Sequence, residues 1–458
     1  MANKNTLTYY FVLASLFVIP IFYFKAYLGP LPLSAEIVLI PLVTLAAIYD
    51  YFKGNIRLNE FKLWPFIIVF SLFLIVSLVS LINVIDLTAA IMEIARYLSY
   101  VVLFLIVVKI NFSKEQYTNF AKWFAASVII VGLFGVLQYV FNFSLNKAGL
   151  YALKEAKGRV DSTFVNPNYY SAFLNYIIPM FLLMAVAYFK DKKAQLLMFA
   201  FYAIFVINVI LTYTRAAWVT MVCAGILLVI LMPKQFTKNL FKIHILISIL
   251  VLVTIVYFMP DVQSRTGSAV FAIQKLLPKD SKIAEFVGDN VENPDELDPD
   301  EMEENSTTNR AVVSRVTLWK TGWVMLRDNP VLGVGMGNYY ARYKEYVTKY
   351  PELDIGHDAY SVHNSYLKVG AETGFLGLVS FLLIYILYFL TIIKLYFKQN
   401  LIGRVMAVGL FVGSVCYMVQ NLSNNIIFIP QLNVVFWLTA GLVMGFLTVN
   451  QNSRNKFI

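Results

Sequence analysis

The chain has only three histidines, and one of them, His363, stands where it could do chemistry. It opens the run His363-Asn-Ser-Tyr-Leu, outside any apolar stretch and just ahead of one. An imidazole that is neutral near neutral pH can take a proton from a hydroxyl group as a general base. Three arginines offer complementary charge: Arg159, Arg215 within Thr212-Tyr-Thr-Arg-Ala216, and Arg315. A guanidinium pairs bidentately with phosphate oxygens. At the edge of an apolar span it either snorkels to the headgroups or holds a diphosphate there. Asn364, Asn168 and Tyr366 lie close to these residues in sequence and are candidate supporting groups.

Other constellations are weaker. Gly333-Val-Gly-Met-Gly337 has the look of a dinucleotide loop, but a parallel sheet does not fit here, and a turn allowing close backbone approach fits better. Ser365-Tyr-Leu-Lys368 matches the Ser-x-x-Lys nucleophile pattern without its companion motifs. His357-Asp358 and His363 are spaced wrongly for the helical zinc pair, so no metal is expected. The acidic run Asp289 to Glu304 has no glycine at the position an EF-hand needs and reads as a solvated insertion. Cys223 and Cys416 read as small apolar packing residues. Glu93 and Arg96, three residues apart in an apolar stretch, read as a self-neutralising buried pair.

The elements that must position these residues are membrane helices. Of the 458 residues, 59% are hydrophobic and only 14% charged, against about one quarter charged in soluble domains. Apolar runs of membrane-spanning length recur near 7–25, 32–51, 64–84, 88–108, 120–141, 168–188, 196–213, 216–232, 242–259, 373–394, 404–421 and 428–448. The expected fold is therefore all-α and polytopic, with about twelve transmembrane helices. The first span is read as a retained helix, because no small-residue cleavage site follows it.

The net charge of +10 does not point to nucleic acid, because of how it is distributed. Lys53, Arg57, Lys62, Lys109, Lys114, Lys192, Lys193, Lys234, Lys238, Lys394 and Arg404 fall in alternate connections, whereas the short connections between them carry only Lys25 and Arg215. The positive-inside rule then puts both termini in the cytoplasm. Residues 1–259 hold nine spans, 260–372 form one large helical extracytoplasmic domain, and 373–458 hold three spans and a tail. Inside that domain, Ser306-Thr-Thr-Asn309 offers caps for a helix over 310–328 with an apolar stripe at Val312, Val316, Trp319 and Trp323. A second short helix is expected from Tyr339 to Tyr350 and a third from His363 towards the tenth span.

Taken in order, Arg159-Val-Asp-Ser-Thr-Phe-Val-Asn-Pro-Asn168, Thr212-Tyr-Thr-Arg-Ala-Ala-Trp218, Arg315-Val-Thr-Leu-Trp319, Asn329-Pro-Val-Leu-Gly-Val-Gly-Met-Gly-Asn338 and His363-Asn-Ser-Tyr-Leu-Lys-Val-Gly-Ala-Glu-Thr-Gly374 form a recognisable set. The set resembles the O-antigen ligase and O-antigen polymerase superfamily of bacterial envelope enzymes. The resemblance covers roughly 159–377; the flanking spans agree only in number and hydropathy. It implies a metal-independent membrane glycosyltransferase without a cofactor, in the bacterial inner membrane. Such enzymes move a glycan from undecaprenyl diphosphate to an acceptor hydroxyl, on a glycan or lipid core, at the outer face. His363 would be the catalytic base. Arg215 and Arg315 would hold the diphosphate, with Arg159 a looser match. Two other classes stay open from sequence: a polysaccharide transporter or flippase, and a non-catalytic envelope assembly component.

Overall fold

The computed structural model describes residues 6–22, 26–28, 31–145, 158–259, 262, 299–356 and 360–455. The chain runs α1 (Leu7–Ile21), a two-stranded antiparallel ribbon β1 (Ala26–Leu28) and β2 (Leu31–Leu33), α2 (Ala35–Phe52), α3 (Trp64–Val79), α4 (Leu87–Lys109) and α5 (Lys114–Phe141). It continues through α6 (Pro167–Leu183), α7 (Lys192–Leu211), α8 (Arg215–Leu231), α9 (Pro233–Leu240) and α10 (Ile243–Tyr257). Then come α11 (Pro299–Asp328), α12 (Tyr339–Lys349), α13 (Ser365–Tyr396), α14 (Leu401–Gln420) and α15 (Pro430–Asn455).

The architecture is that of an all-helical polytopic membrane protein. Every predicted span falls on an apolar helix. Among the described residues, nine helices are long and apolar enough to cross a membrane; α8 and α9 form a further candidate bent by 104°, and α1 and α10 are shorter. Lipid-facing residues such as Ile68, Ile75, Val222, Leu250 and Ile386 stay exposed, as a bundle solvated by acyl chains requires. The centre is polar in places. α6 and α15 are the most enclosed spans and carry Asn175, Asn433 and Thr439 inward.

Hydrogen bonds tie one end of the bundle into a continuous polar layer. Gln138, at the end of α5, donates to Asp161 at 3.0 Å and accepts from Ser162 N–H at 2.6 Å. Thr163 donates to the Pro20 carbonyl at the end of α1 (2.7 Å), and Gln431 at the start of α15 donates to that of Ile19 (2.8 Å). Ser365 at the start of α13 donates to Asn421 after α14 (2.6 Å), and Asn83 after α3 donates to the Gly333 carbonyl (2.7 Å). All the candidate site residues lie at this end.

Four expectations need correcting. The helix expected from 310 begins at Pro299 and runs through Ser306–Asn309. Proline suits the first helical position and acidic residues suit the first turn, so the earlier start wins. The short helix after His363 and the tenth span are one helix, α13, broken at Gly374 (φ 69°, ψ −171°). Cys223 is exposed on the bundle surface, while Cys416 is packed inside as expected. Glu93 and Arg96 do pair at 2.9 Å, but the Arg96 side chain is 36% exposed, so the pair sits at a rim. The helix from Tyr339 to Lys349 is present as expected, and residues 289–298 lie outside the described residues.

Candidate active site

Two clusters make the site. The first gathers around His363, a half-buried residue in left-handed backbone conformation (φ 49°). Such a φ is uncommon for a side chain with a Cβ and holds only where neighbours over-determine it. Here they do. Asn364 caps α13, accepting the N–H groups of Tyr366 and Leu367 at 3.0 Å each. Trp319 of α11 donates its indole N–H to the His363 carbonyl at 3.4 Å. On the far side, Asn425 donates to Ser361, and Ser365 is held by Asn421 and the Asn424 carbonyl. The Tyr360 ring lies 5.6 Å from the imidazole.

Arg315, one helical turn before Trp319, supplies the charge in this cluster. Burial and, secondarily, the Arg315 guanidinium push the His363 pKa down to about 4. The imidazole is therefore neutral at physiological pH, with a lone pair to offer. Burial also pulls Arg315 below its usual value, opposed by Tyr360. The predicted apolar stripe of α11 is thus divided: Trp319 turns to the site, while Trp323 is 51% exposed, edge-on to Phe375.

The second cluster gathers around Arg159. Its Nε donates to the Thr212 carbonyl at 2.9 Å, and its Nη2 to Asn168 at 3.0 Å and Thr214 at 3.1 Å. Thr214 also donates to Asn168 at 3.2 Å. These bonds clasp the tight α7–α8 turn, where Tyr213 has φ 48°, against the start of α6. Arg215 is half-buried and is the first residue of α8. The N-termini of α6 and α8 therefore lie side by side, and both present the positive end of a helix dipole. With Arg215 at the junction, this is a place suited to an anion.

The glycine run does what the sequence suggested. Gly333, Gly335 and Gly337 all have positive φ. A Cβ at Gly333 would strike the backbone of Ala371 and Glu372, and one at Gly335 would strike Val84. The Val334 and Gly335 N–H groups donate to the Ala371 and Glu372 carbonyls at 2.8 and 3.0 Å. Asn338 accepts from the Ile85 and Asp86 N–H groups at 3.0 and 2.7 Å, fixing the run to the α3–α4 turn. His357 and Asp358 lie outside the described residues, and no three His, Cys, Asp or Glu side chains converge among those described.

Residues 199–382 match the family model described as O-Antigen ligase (Wzy_C). Over these residues the chain is similar to that family, which supports a place in the O-antigen ligase and polymerase superfamily. The match supports an O-antigen ligase/polymerase type of membrane glycosyltransferase activity. No curated protein sequence matches the chain. The O-antigen ligase match runs from α7 into α13, so it includes Arg215, Arg315 and His363 and leaves out Arg159 and Asn168.

Sequence reasoning missed the side-chain amides of Asn421 and Asn425 and the Asn424 carbonyl, which hold both flanks of His363. The available signal was a dense amide turn, Gln420-Asn-Leu-Ser-Asn-Asn425, between two apolar spans. It weighed Lys368 only within the Ser-x-x-Lys pattern and gave Glu372 no role; both are buried in α13. Tyr366 turns its hydroxyl away, donating to the Met418 carbonyl at 2.8 Å, so it acts in packing α13 on α14.

Proposed function

We propose that this protein transfers an undecaprenyl-diphosphate-linked glycan to an acceptor hydroxyl at the outer face of a bacterial inner membrane. His363 is the general base, and Arg215 and Arg315 hold the diphosphate. The acceptor oxygen bonds to the anomeric carbon as the bond from that carbon to the phosphate oxygen breaks. The electron pair leaves with undecaprenyl diphosphate, and the hydroxyl proton passes to the imidazole. Fixed guanidinium groups and helix N-termini stabilise the negative charge that grows on the leaving oxygen. Arg159 supports from behind, since its guanidinium organises the turn that presents Arg215. The basic connections fall at the other end of the bundle, which supports both termini being cytoplasmic.

The observation that carries this reading is the neutral imidazole of His363, set in strained backbone beside Arg315. A base with a pKa near 4 is weak, and efficient general bases lie closer to the working pH. A bound diphosphate neutralises Arg315 and so raises the basicity of His363 when donor is present. The base is thereby coupled to donor binding, which guards against unproductive proton uptake. The test is purified His363→Ala protein with lipid-linked repeat units. Wild-type transfer by this variant overturns the assignment. A ladder of products from repeat units alone identifies a polymerase; transfer only after an acceptor is added identifies a ligase.

A further inference from the structure

Lys368 stands one turn into α13 and is only 7% exposed. Its ammonium has no hydrogen-bonding partner among the described residues. It lies 3.6 Å from a Glu372 carboxylate oxygen, 3.6 Å from the centre of the Phe428 ring and 6.0 Å from that of Tyr340. Glu372 is fully buried. One of its oxygens accepts the Tyr339 N–H at 3.2 Å, and the other has no partner. The oxygen nearest the ammonium is the one that Tyr339 serves; the ammonium and the other, open oxygen of the same carboxylate are each costly to bury unless something completes them. Tyr340 is 48% exposed and lies within electrostatic range of Tyr169, the neighbour of Asn168. The group thus reaches from α13 towards the start of α6.

We propose that Lys368, Glu372 and the Tyr340 and Phe428 rings form a glycan subsite that orients a sugar beside His363. This rests on the glycan-transfer reading above. A sugar hydroxyl accepts from Lys368 and donates to Glu372, completing both groups at once, while a pyranose face packs on the Tyr340 ring. A phosphate does not fit, because it brings no proton for the open carboxylate oxygen. It would also be repelled by Glu372 and by Glu93, which lies within electrostatic range of Glu372. The subsite therefore recognises neutral polyol and leaves the anion to the arginines.

The test measures binding and is separate from turnover. In a His363→Ala background, the full-length protein in detergent is titrated with oligosaccharide released from the host's own surface polysaccharide. A second titration uses inorganic pyrophosphate. Tyr340→Ala and Lys368→Gln should each weaken oligosaccharide binding about tenfold, the scale of one lost charge-assisted hydrogen bond or ring contact. Pyrophosphate binding should stay unchanged. Tyr340 is about half exposed, so its variant is expected to keep the parent melting temperature and decides the matter if Lys368→Gln does not fold. Unchanged oligosaccharide binding by Tyr340→Ala, or loss of pyrophosphate binding instead, overturns the subsite. Failure of the transfer reading would show in His363→Ala turnover and leave this binding result standing.

Discussion

The two ends of the helical bundle are built differently. At the end opposite the site, polar contacts are local fasteners. Asn59 ties the α2–α3 connection to the end of α4, donating to the Val108 carbonyl at 2.8 Å and accepting from Phe61 N–H at 2.9 Å. Lys109 donates to the Phe61 carbonyl, Asp50 accepts from Thr8, and Gln399 donates to Leu447. Gly54 is the one residue there with positive φ among those described. At the site end, Asn142, Ser162, Val165, Tyr213 and His363 all take up positive φ, none of them glycine. Such residues cost of the order of 1–3 kcal/mol each and persist where surrounding structure forces them. The lesson is that strain and amide networks concentrate where side chains must be aimed, while the other end is fastened by ordinary pairs.

That contrast can be broken by substitution. The largest effect is expected from His363→Ala, which removes the proposed base and should cut turnover about 10²–10⁴-fold without changing the amount of folded protein in the membrane. Turnover close to wild type would reduce the strained end to a purely structural feature. Arg215→Ala and Arg315→Ala should each cost about 10²–10³-fold in turnover, the scale of one lost transition-state contact. Lysine at either position should rescue only in part, because the planar fork is lost. Full rescue would reduce the arginines to plain charges.

The pH profile sharpens the comparison further. His363 has its pKa pushed down to about 4, so its imidazole is neutral above that value and takes up a proton as pH falls through it. The acid limb of kcat/KM, which reports the free enzyme, should therefore lie near pH 4 and not near 6.5. Arg315→Gln removes a charge that disfavours the imidazolium, so the limb should move to higher pH. A limb that stays put in that variant would mean that Arg315 does not face the imidazole. The smallest effect on chemistry belongs to the opposite end. Asn59→Ala leaves buried carbonyls unpaired and should cost about 1–3 kcal/mol of stability, read as a lower melting temperature. Its turnover per folded molecule should match the parent.

Much of this was legible in the sequence, and for physical reasons. Apolar runs of bilayer length declare helices, because the backbone must satisfy itself in lipid. His363, Arg215 and Arg315 stood out because polar residues are rare in such a chain. The glycine run was readable as a close-approach turn, because three positive-φ positions admit little else. Helix limits were less legible. The start of α11 at Pro299 competed with equally good caps at Ser306–Asn309, and the break at Gly374 looks like any glycine until its φ is known. The amides of Asn421 and Asn425 were missed because their role depends on α14 and α15 returning beside α13. No local pattern encodes that return.

One consequence follows from how the glycine run is fastened. Its backbone is bonded to α13 at Ala371 and Glu372, the Phe375 N–H is bonded to the Pro330 carbonyl at 2.7 Å, and Asn338 pins it to α4. A segment stapled at three places, twice by main-chain bonds and once by the Asn338 side chain, is a wall and not a flap. On the glycan-transfer reading proposed above, a sugar chain would meet this wall as a fixed surface along its flank, with no loop to open first.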